Sequence, residues 1–240
     1  MTPVSIVAVW DFFDKIYCIS LAGRPDRRAE AAAQFARVGL GERVEFVVVQ
    51  KHPTDCEQGI YESHQLCLSR GLAQGAEQML IFEDDILFDG FTTAAMERCT
   101  AFLAAEPDWH LFCLGCMVKA SRRMAFPGVV QIRYRSLTHA YAIHRRFAER
   151  LVACPWQGVP YDDFLRDLKD ERTFALSPSF AFQSNSPSDN ERYLPLDRVR
   201  RLLGGLRRLQ KMDAFYHRNR WVIIGAHLLA LLVLTLAIWS

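Results

Sequence analysis

The sequence predicts an α/β fold with acidic side chains at one edge of a parallel sheet. Two strand-like runs, Lys15–Leu21 and Val44–Val49, flank an alanine-rich helical segment. That spacing is typical of a βαβ unit, which implies a parallel pair and a right-handed crossover. A third apolar run, at residues 79–82, leads directly into Glu83-Asp84-Asp85. Open α/β sheets bind ligands at the carboxyl ends of their strands, so these acids mark the predicted site.

The first strand is followed by a turn and a helix that carry arginines. We expect Asp26 to cap a helix over residues 27–38. The first βα turn of such a unit often receives a nucleotide, so Arg24, Arg27 and Arg28 are candidate contacts for phosphate or base edges. A solvated basic helix face is the alternative for each of them.

A second helix is predicted to begin at Ser63 and His64 and to run to about residue 73. Ser63 has the side chain of an N-cap, and Leu68 and Leu72 lie on the expected core face. His64 is either a packed or capping residue or part of the site.

The acidic run has the chemistry of a divalent cation site. Asp84 and Asp85, with Glu83 before them, supply the hard oxygen ligands that Mg²⁺ and Mn²⁺ prefer. Such a cation holds a diphosphate and neutralises charge as a bond to a phosphate oxygen breaks. An acid-rich turn that merely ends the strand is the alternative.

The remaining elements follow in order. They are a helix at 90–105, a strand at 109–114, a mobile-looking basic loop at 117–127, strands at 129–134 and 137–143, a helix at 145–153, a helix from 161, a strand at 173–176 and a polar loop at 177–190. The basic loop is a lid candidate, because loops beside a metal–diphosphate site often close over it. At the other end of the chain, the short apolar run 4–10 predicts an added edge strand or a loose N-terminal arm.

Two acids begin the helix at residue 161. Asp162 and Asp163 are placed where carboxylates favour the helix macrodipole, so capping is one interpretation. The functional interpretation makes one of them a general base.

Composition and charge limit the class of protein. The chain has 240 residues, half of them apolar, which is enough for one domain with a core. Residues 191–220 hold nine Lys/Arg and three Asp/Glu, although the net charge of the chain is only +2. This uneven charge indicates a membrane partner and no nucleic acid. Seven cysteines at irregular spacing predict reduced core thiols in a cytosolic compartment.

The uncharged tail at residues 221–239 is long enough to span a bilayer. A helix rising about 1.5 Å per residue over this stretch approaches the roughly 30 Å hydrocarbon core. A basic amphipathic segment at 191–220 precedes it, and its cations predict that the body lies on the cytoplasmic face. A buried helical hairpin is the alternative. The expected organisation is a catalytic domain at 1–190, a juxtamembrane segment at 191–220 and a transmembrane helix at 221–239.

Four sequence blocks, in order, carry a family resemblance. They are Ile19-Ser-Leu-Ala with Arg27-Arg28, Gly59 with Ser63-His64, Phe82-Glu83-Asp84-Asp85 with Ile86-Leu87, and Thr138-His-Ala-Tyr141-Ala-Ile143 with Pro160-Tyr-Asp162. Together they resemble glycosyltransferase family 25, the lipooligosaccharide galactosyltransferase type, over about residues 15–190. The resemblance implies a GT-A type, Rossmann-like domain that binds a nucleotide sugar. It also implies inverting transfer of a hexose, usually galactose from UDP-galactose, to a sugar hydroxyl.

The resemblance assigns roles to the candidate residues. Asp84 and Asp85 would hold Mn²⁺ (or Mg²⁺) against the diphosphate, and Asp162 would be the base, with Asp163 as the second choice. The expected donor contacts are Arg24, Arg27, Arg28, Ser63, His64 and Glu83.

The expected function is therefore a metal-dependent hexosyltransferase at the cytoplasmic membrane face. Its partners would be a UDP-sugar donor, a lipid-linked or lipopolysaccharide glycan as acceptor, and the membrane. A degenerate GT-A-like domain that only binds or scaffolds other membrane enzymes is the alternative. A metal-dependent phosphodiesterase is a third, but it needs acid and histidine ligands beside residues 83–85 that the sequence does not supply.

Overall fold

The computed structural model describes residues 8–184 and 204–239, and an eight-stranded mixed sheet forms its centre. The strands are β1 Lys15–Leu21, β2 Val44–Val49, β3 Gln78–Glu83, β4 Ile86–Phe88, β5 Leu111–Cys113, β6 Met117–Arg123, β7 Val129–Ser136, β8 Ala140–His144, β9 Thr173–Leu176 and β10 Ala181–Gln183. The helices are α1 Pro25–Arg37, α2 Cys56–Ala73, α3 Thr93–Ala105, α4 Arg145–Val152, α5 Tyr161–Asp167 and α6 Gly205–Trp239.

The sheet topology brings the end of β3 and the start of β8 to one edge. The strand order is β2-β1-β3-β8-β5-β9-β7-β6, and β1 pairs in parallel with both β2 and β3. β8 runs antiparallel to β3, with Phe82 opposite Ala140. The segment before β8 therefore meets the acids after β3. The predicted α/β class, with a Rossmann-like parallel unit and an apolar C-terminal helix, is confirmed.

Helices cover both faces of the sheet, and β3 contributes to both cores. Leu80 and Phe82 pack in the core that includes Phe35 of α1, whereas Met79 and Ile81 pack in the core that includes Leu68 of α2. A strand buried on both faces has a continuous apolar sequence, which explains the run at 79–82. The seven cysteines are all free thiols, and five of them lie buried in these cores.

The N-terminal segment, where it is described, is neither an edge strand nor a loose arm. Ala8–Trp10 forms a single 3₁₀ turn, and Trp10 is fully buried. Its indole Nε1 donates to the carbonyl of Val38 at 2.8 Å, and its ring stacks on Phe91. The large aromatic surface and the satisfied N–H hold this segment against the core.

The predicted starts of the first two helices are wrong. α1 begins at Pro25 and has no side-chain cap, because Asp26 instead accepts hydrogen bonds from Arg24. α2 begins at Cys56, well before Ser63, because Asp55 caps it by accepting from the amides of residues 57 and 58. Ser63 lies inside α2 and donates to the carbonyl of Gly59.

Two predicted loops contain strands. Residues 117–127 are not a mobile lid, since β6 occupies most of this segment and pairs antiparallel with β7. The basic side chains of β6 are exposed because it is an edge strand, and edge strands commonly carry charge. In the predicted loop 177–190, β10 pairs with β4, and residues 185–190 lie outside the described residues. The strand expected at 137–143 begins only at Ala140.

α6 is one continuous helix that joins the basic segment to the apolar tail. Its first part packs on the domain: Gln210 is buried and donates to the carbonyl of Ala181 at 2.9 Å, and Asp213 accepts from the amide of Val118 at 3.0 Å. The apolar part is exposed, and by length and composition the helix can cross a membrane. Residues 191–203 of the expected amphipathic segment lie outside the described residues.

Candidate functional site

The centre of the site is a buried ion-pair cluster at the carboxyl edge of β1 and β3. Arg27 lies in the first turn of α1, directly after β1, and Asp84 and Asp85 directly follow β3. The Arg27 Nη2 lies 2.6 Å from Asp84 and 3.0 Å from Asp85. The structure therefore brings together three of the residues that the sequence singled out.

The two aspartates are held in an environment that disfavours their charge. Burial raises the pKa of Asp84, and Arg27 only partly opposes that effect. Burial also raises the pKa of Asp85 to about 7, with Glu83 adding to the rise. A further cation next to these carboxylates would therefore stabilise their charged forms.

Gln183 completes this part of the site from β10. Its amide Nε2 donates to Asp85 Oδ2 at 2.8 Å. Asp85 Oδ1 and the Gln183 Oε1 are buried, and neither finds a hydrogen-bond partner in the part of the chain that the structure describes. Two buried acceptors without donors are costly unless a cation or another donor meets them.

Glu83 lies on the other side of the cluster, with its own partners. Thr138 donates to its Oε1 at 2.8 Å, and His64 Nε2 lies 3.6 Å from the same oxygen. Burial raises the pKa of Glu83, but the contacts with His64 and Thr138 outweigh it, so the pKa falls to about 2. Glu83 is therefore a stable carboxylate, unlike its two neighbours.

His64 is fixed by aromatic side chains. Its ring stacks on Tyr161 at a centroid distance of 4.1 Å, and its Nδ1 lies 3.0 Å from the Tyr141 hydroxyl. The hydroxyls of Tyr141 and Tyr161 are in turn 3.1 Å apart. This chain of buried hydrogen bonds orients His64 toward Glu83. His64 is therefore both a packed core residue and a neighbour of the acidic site.

Asp162 lies close to Glu83, whereas Asp163 faces solvent. Asp162 accepts from the Tyr134 hydroxyl at 2.6 Å and from the amide of Leu137 at 3.0 Å. Burial raises the pKa of Asp162, and Thr138, which also contacts Glu83, partly opposes that rise. Asp163 forms an ion pair with Arg166 in the same helix and is 40% exposed.

The other predicted donor contacts have partners outside the acidic run, although Arg24 lies near enough to Asp84 to oppose the rise in the pKa of that carboxyl. Arg24 pairs with the exposed Asp26. Arg28 Nη1 donates to the Ser20 hydroxyl and to the carbonyl of Leu21, so it lies at the end of β1. Ser63 is occupied by its bond within α2.

Sequence reasoning did not assign roles to three residues that contact the site. Thr138 and Tyr141 lie in the fourth resemblance block, so a signal was present for both. Gln183 lies almost a hundred residues after Asp85 in a segment interpreted as loop, and no pattern in the sequence marks it.

The residues present suit a cation that takes some of its ligands from the protein and the others from a substrate. The described residues contain no group of three His, Cys, Asp or Glu side chains able to hold a metal by themselves. Mg²⁺ and similar ions, however, often take one or two carboxylates together with substrate phosphates and water. Asp84, Asp85 and the unpartnered acceptor oxygens match that smaller set.

The chain is similar to curated proteins of one family. It is 29% identical over 191 residues to inactive glycosyltransferase 25 family member 3 of Homo sapiens, which covers 66% of this chain and 32% of that protein. The probable inactive counterpart of Rattus norvegicus is 28% identical over 185 residues, covering 64% and 32%. The resemblance to glycosyltransferase family 25 is confirmed. The chain spans about a third of the length of these family 25 relatives (32% of each).

Two solved structures share part of the backbone arrangement of this chain. A glycosyltransferase involved in glycosylation of the major capsid of PBCV-1 has a TM-score of 0.41 at 12% identity, covering 67% of this chain and 81% of that one. A UDP-glucose pyrophosphorylase complexed with UDP-glucose has a TM-score of 0.44 at 12% identity, covering 78% and 81%. No family model matches the chain.

Proposed function

We propose that this family 25-like chain is a hexosyltransferase that takes its sugar from a UDP-linked donor. The observation that carries the proposal is the buried cluster of Arg27, Asp84 and Asp85 at the carboxyl edge of β1 and β3. Sheets of this class receive nucleotides at that edge. The raised pKa values of both aspartates and the unpartnered Asp85 Oδ1 favour a cationic ligand there.

In the proposed site, Asp84 and Asp85 would hold Mn²⁺ or Mg²⁺ next to the donor diphosphate. The cation, when bound, supplies charge neutralisation for the departing nucleotide. Arg27 adds a second positive charge at the same place, and Arg28 is held at the end of β1 where the nucleotide is expected. Preorganised charge of this kind stabilises the leaving diphosphate without reorganisation during the reaction.

Inverting transfer requires a carboxylate that takes the proton of the attacking hydroxyl. Asp162 is the first choice, because its raised pKa suits proton uptake and it lies beside the Thr138–Glu83 pair. Asp163 is the second choice and would have to leave Arg166. We propose galactose as the hexose and a lipid-linked or lipopolysaccharide glycan as the acceptor. We place the domain on the cytoplasmic side, anchored by α6.

The proposal is tested with the full-length protein in detergent micelles. UDP release from several UDP-sugars is measured with and without Mn²⁺, together with UDP binding by calorimetry. Asp85→Asn is expected to lower turnover on the order of a hundredfold or more, because it weakens charge stabilisation of the leaving group. Asp108→Asn is the control, since Asp108 is half exposed and pairs with the surface arginines Arg146 and Arg172. Turnover that is equal in Asp85→Asn and in the wild type would refute the proposal.

A second candidate function is binding without catalysis. The curated relatives are named inactive, and Arg27 already places one positive charge beside both aspartates without any metal. A scaffold role predicts no UDP binding in the presence of Mn²⁺, together with stable co-purification of a membrane enzyme. UDP binding that depends on Mn²⁺ and Asp85 would exclude it.

A further inference from the structure

The short strand β10 lies between α6 and the acidic site. It has three residues and pairs on one side with β4, which directly follows Asp85. The register places Gln183 opposite Ile86 and Ala181 opposite Phe88. Among the described residues no strand pairs with the other side of β10, so the backbone polar groups on that side need other partners.

The carboxyl end of β10 holds Asp85 at two points. The Gln183 side chain donates to Asp85 Oδ2 at 2.8 Å, and the Ser184 amide donates to the Asp85 carbonyl at 2.6 Å. The first bond orients the carboxylate, and the second fixes the backbone of the same residue. A shift of β10 would therefore change the position of the Asp85 carboxylate.

The other end of β10 is held by two neighbouring residues of α6. Gln210 is 1% exposed, and its Nε2 donates to the carbonyl of Ala181 at 2.9 Å. The Lys211 ammonium lies 5.3 Å from the centre of the Phe182 ring and pairs with Asp89, the residue after β4. α6 therefore contacts both strands of the pair that carries Asp85.

The buried Gln210 bond is the stronger of these two contacts. A buried carbonyl that loses its donor is costly, so the bond to Ala181 favours one position of β10. The Lys211 side chain is 49% exposed, and water and salt weaken its interactions.

The buried amide of Gln210 also carries a cost of its own. Its Oε1 is buried and has no hydrogen-bond partner in the part of the chain that the structure describes. An apolar side chain of the same length would avoid that cost but could not bind Ala181. The amide is thus a poor choice for packing alone and a suitable one for fixing a strand.

We propose that Gln210 is a positioning residue for Asp85 and acts through β10. Its bond to Ala181 fixes the strand, which in turn presents Gln183 and the Ser184 amide to Asp85. α6 is then a support of the acidic site and not only a candidate membrane helix. The inference rests on the proposed function in one respect, namely that Asp85 must be held where the cation and the donor diphosphate bind.

The test compares Gln210→Met with the wild type, both as full-length proteins in detergent micelles. Methionine has a similar length and suits a buried site, but it cannot donate to Ala181. Amide hydrogen exchange of residues 84–86 and 180–184, measured without metal or nucleotide, is expected to rise on the order of tenfold. Exchange of β1 should not change. Binding of UDP in the presence of Mn²⁺, measured by calorimetry, should weaken on the order of tenfold.

Leu151→Ala is the control for a general loss of stability. Leu151 is 1% exposed and packs in the core on the face of the sheet that does not include β10. Its truncation leaves a cavity and should lower Tm at least as much as Gln210→Met does. UDP binding and the exchange of residues 180–184 relative to β1 should nevertheless match those of the wild type.

Three results would overturn the inference. One is equal exchange of residues 84–86 and 180–184 in Gln210→Met and the wild type. Another is an equal rise in β1, which would reduce the role of Gln210 to general stability. The third is faster local exchange in Gln210→Met with UDP affinity unchanged. Absence of UDP binding by the wild type counts against the transferase proposal alone, because the exchange result needs no ligand.

Discussion

At the scale of single residues, the acidic site combines one carboxylate whose charge is stabilised with two whose ionisation costs folding free energy. Glu83 keeps its charge through His64 and Thr138, whereas burial raises the pKa of Asp84 and Asp85. Functional sites commonly hold such strained groups at the expense of stability. The cost should therefore be measurable in the protein without its ligands.

Asp85→Asn is expected to stabilise the metal-free protein at alkaline pH. The pKa of Asp85 in the folded state is raised from 3.8 to about 7, so its ionisation costs folding free energy that is absent below about pH 3.8, grows as pH rises and is complete above about pH 7. Removing the charge should gain on the order of 1–4 kcal/mol at pH 8, a rise in Tm of several degrees, and little at pH 4. Thermal unfolding in a chelator measures this difference.

Asp108→Asn is the matched control for this prediction, and its Tm relative to the wild type should not increase with pH. If Asp85→Asn is instead less stable than the wild type at pH 8, the ion pair with Arg27 outweighs the burial cost of the carboxylate.

Asp162→Ala is expected to lower the free energy of unfolding by about 2–4 kcal/mol, because it leaves the Tyr134 hydroxyl and the Leu137 amide without an acceptor. Asp162→Asn keeps an acceptor oxygen and should cost less. Denaturant unfolding of both variants measures the structural part of the role of this residue. If Asp162→Asn remains folded but turns over substrate more slowly than the wild type, the lost turnover measures the catalytic part. Equal free energies of unfolding for the wild type, Asp162→Ala and Asp162→Asn would contradict the structural role of Asp162.

At the scale of elements, local patterns predicted the buried strands and missed features that depend on distant partners. β1 and β9 have the predicted limits, because their apolar sequences reflect burial within the sheet. β2 also has the predicted limits, although it is an edge strand in which only Val47 is buried. β6 was missed because its basic residues match a loop until the ladder to β7 is known. The beginning of α2 was missed because Asp55 lies in a polar stretch where several residues have capping side chains.

The same division applies to the site. The acids after β3 and the arginines after β1 were recognisable because each directly follows a strand, and parallel neighbours bring such positions together. Gln183 was not, because its approach to Asp85 depends on the antiparallel pairing of β4 with β10. The ion pair of Arg24 with Asp26 depends on the side-chain rotamers of both residues, which sequence spacing does not determine.

Gly115→Ala is expected to be severely destabilising at the junction of three elements. An added Cβ would overlap the backbone carbonyl of Ala181 in β10 and come within 2.8 Å of the Gln210 amide of α6. Overpacking against backbone typically costs about 1–3 kcal/mol, and here it also displaces β10 from β4. Thermal unfolding tests this expectation. Gly23→Ala is the control, since nothing lies within 4 Å of its added Cβ, and equal Tm values for the two variants would refute the close approach.

At the scale of the whole molecule, α6 belongs to the domain and to the apolar tail at once. Asp213 and Gln210 bind backbone groups of β6 and of β10 from one helix face. The edge strand β6 is thereby covered on the side that β7 leaves open. Loosening the helix should consequently loosen that edge.

Asp213→Ala is expected to increase amide hydrogen exchange across residues 117–123, because the Val118 amide loses its acceptor. The loss of one hydrogen bond to a carboxylate is worth about 1–3 kcal/mol, so exchange in this strand should rise roughly fivefold to a hundredfold. Exchange of β1 and β3 should not change. Met212→Ala, at a neighbouring position that is 58% exposed, is the control, and unchanged exchange at 117–123 in Asp213→Ala would show that α6 does not hold β6.

The unbroken course of α6 has one more consequence. From Gly205 to Trp221 the helix rises about 24 Å without an interruption, and its lower turns are bonded to the domain. With the tail embedded in lipid, as proposed, such a stiff helix would keep a constant distance between the acidic site and the bilayer surface. If the proposed transfer takes place there, acceptor glycans would be selected by how far they project from the bilayer, and inserting a flexible glycine linker near Trp221 should broaden the range of chain lengths that are used.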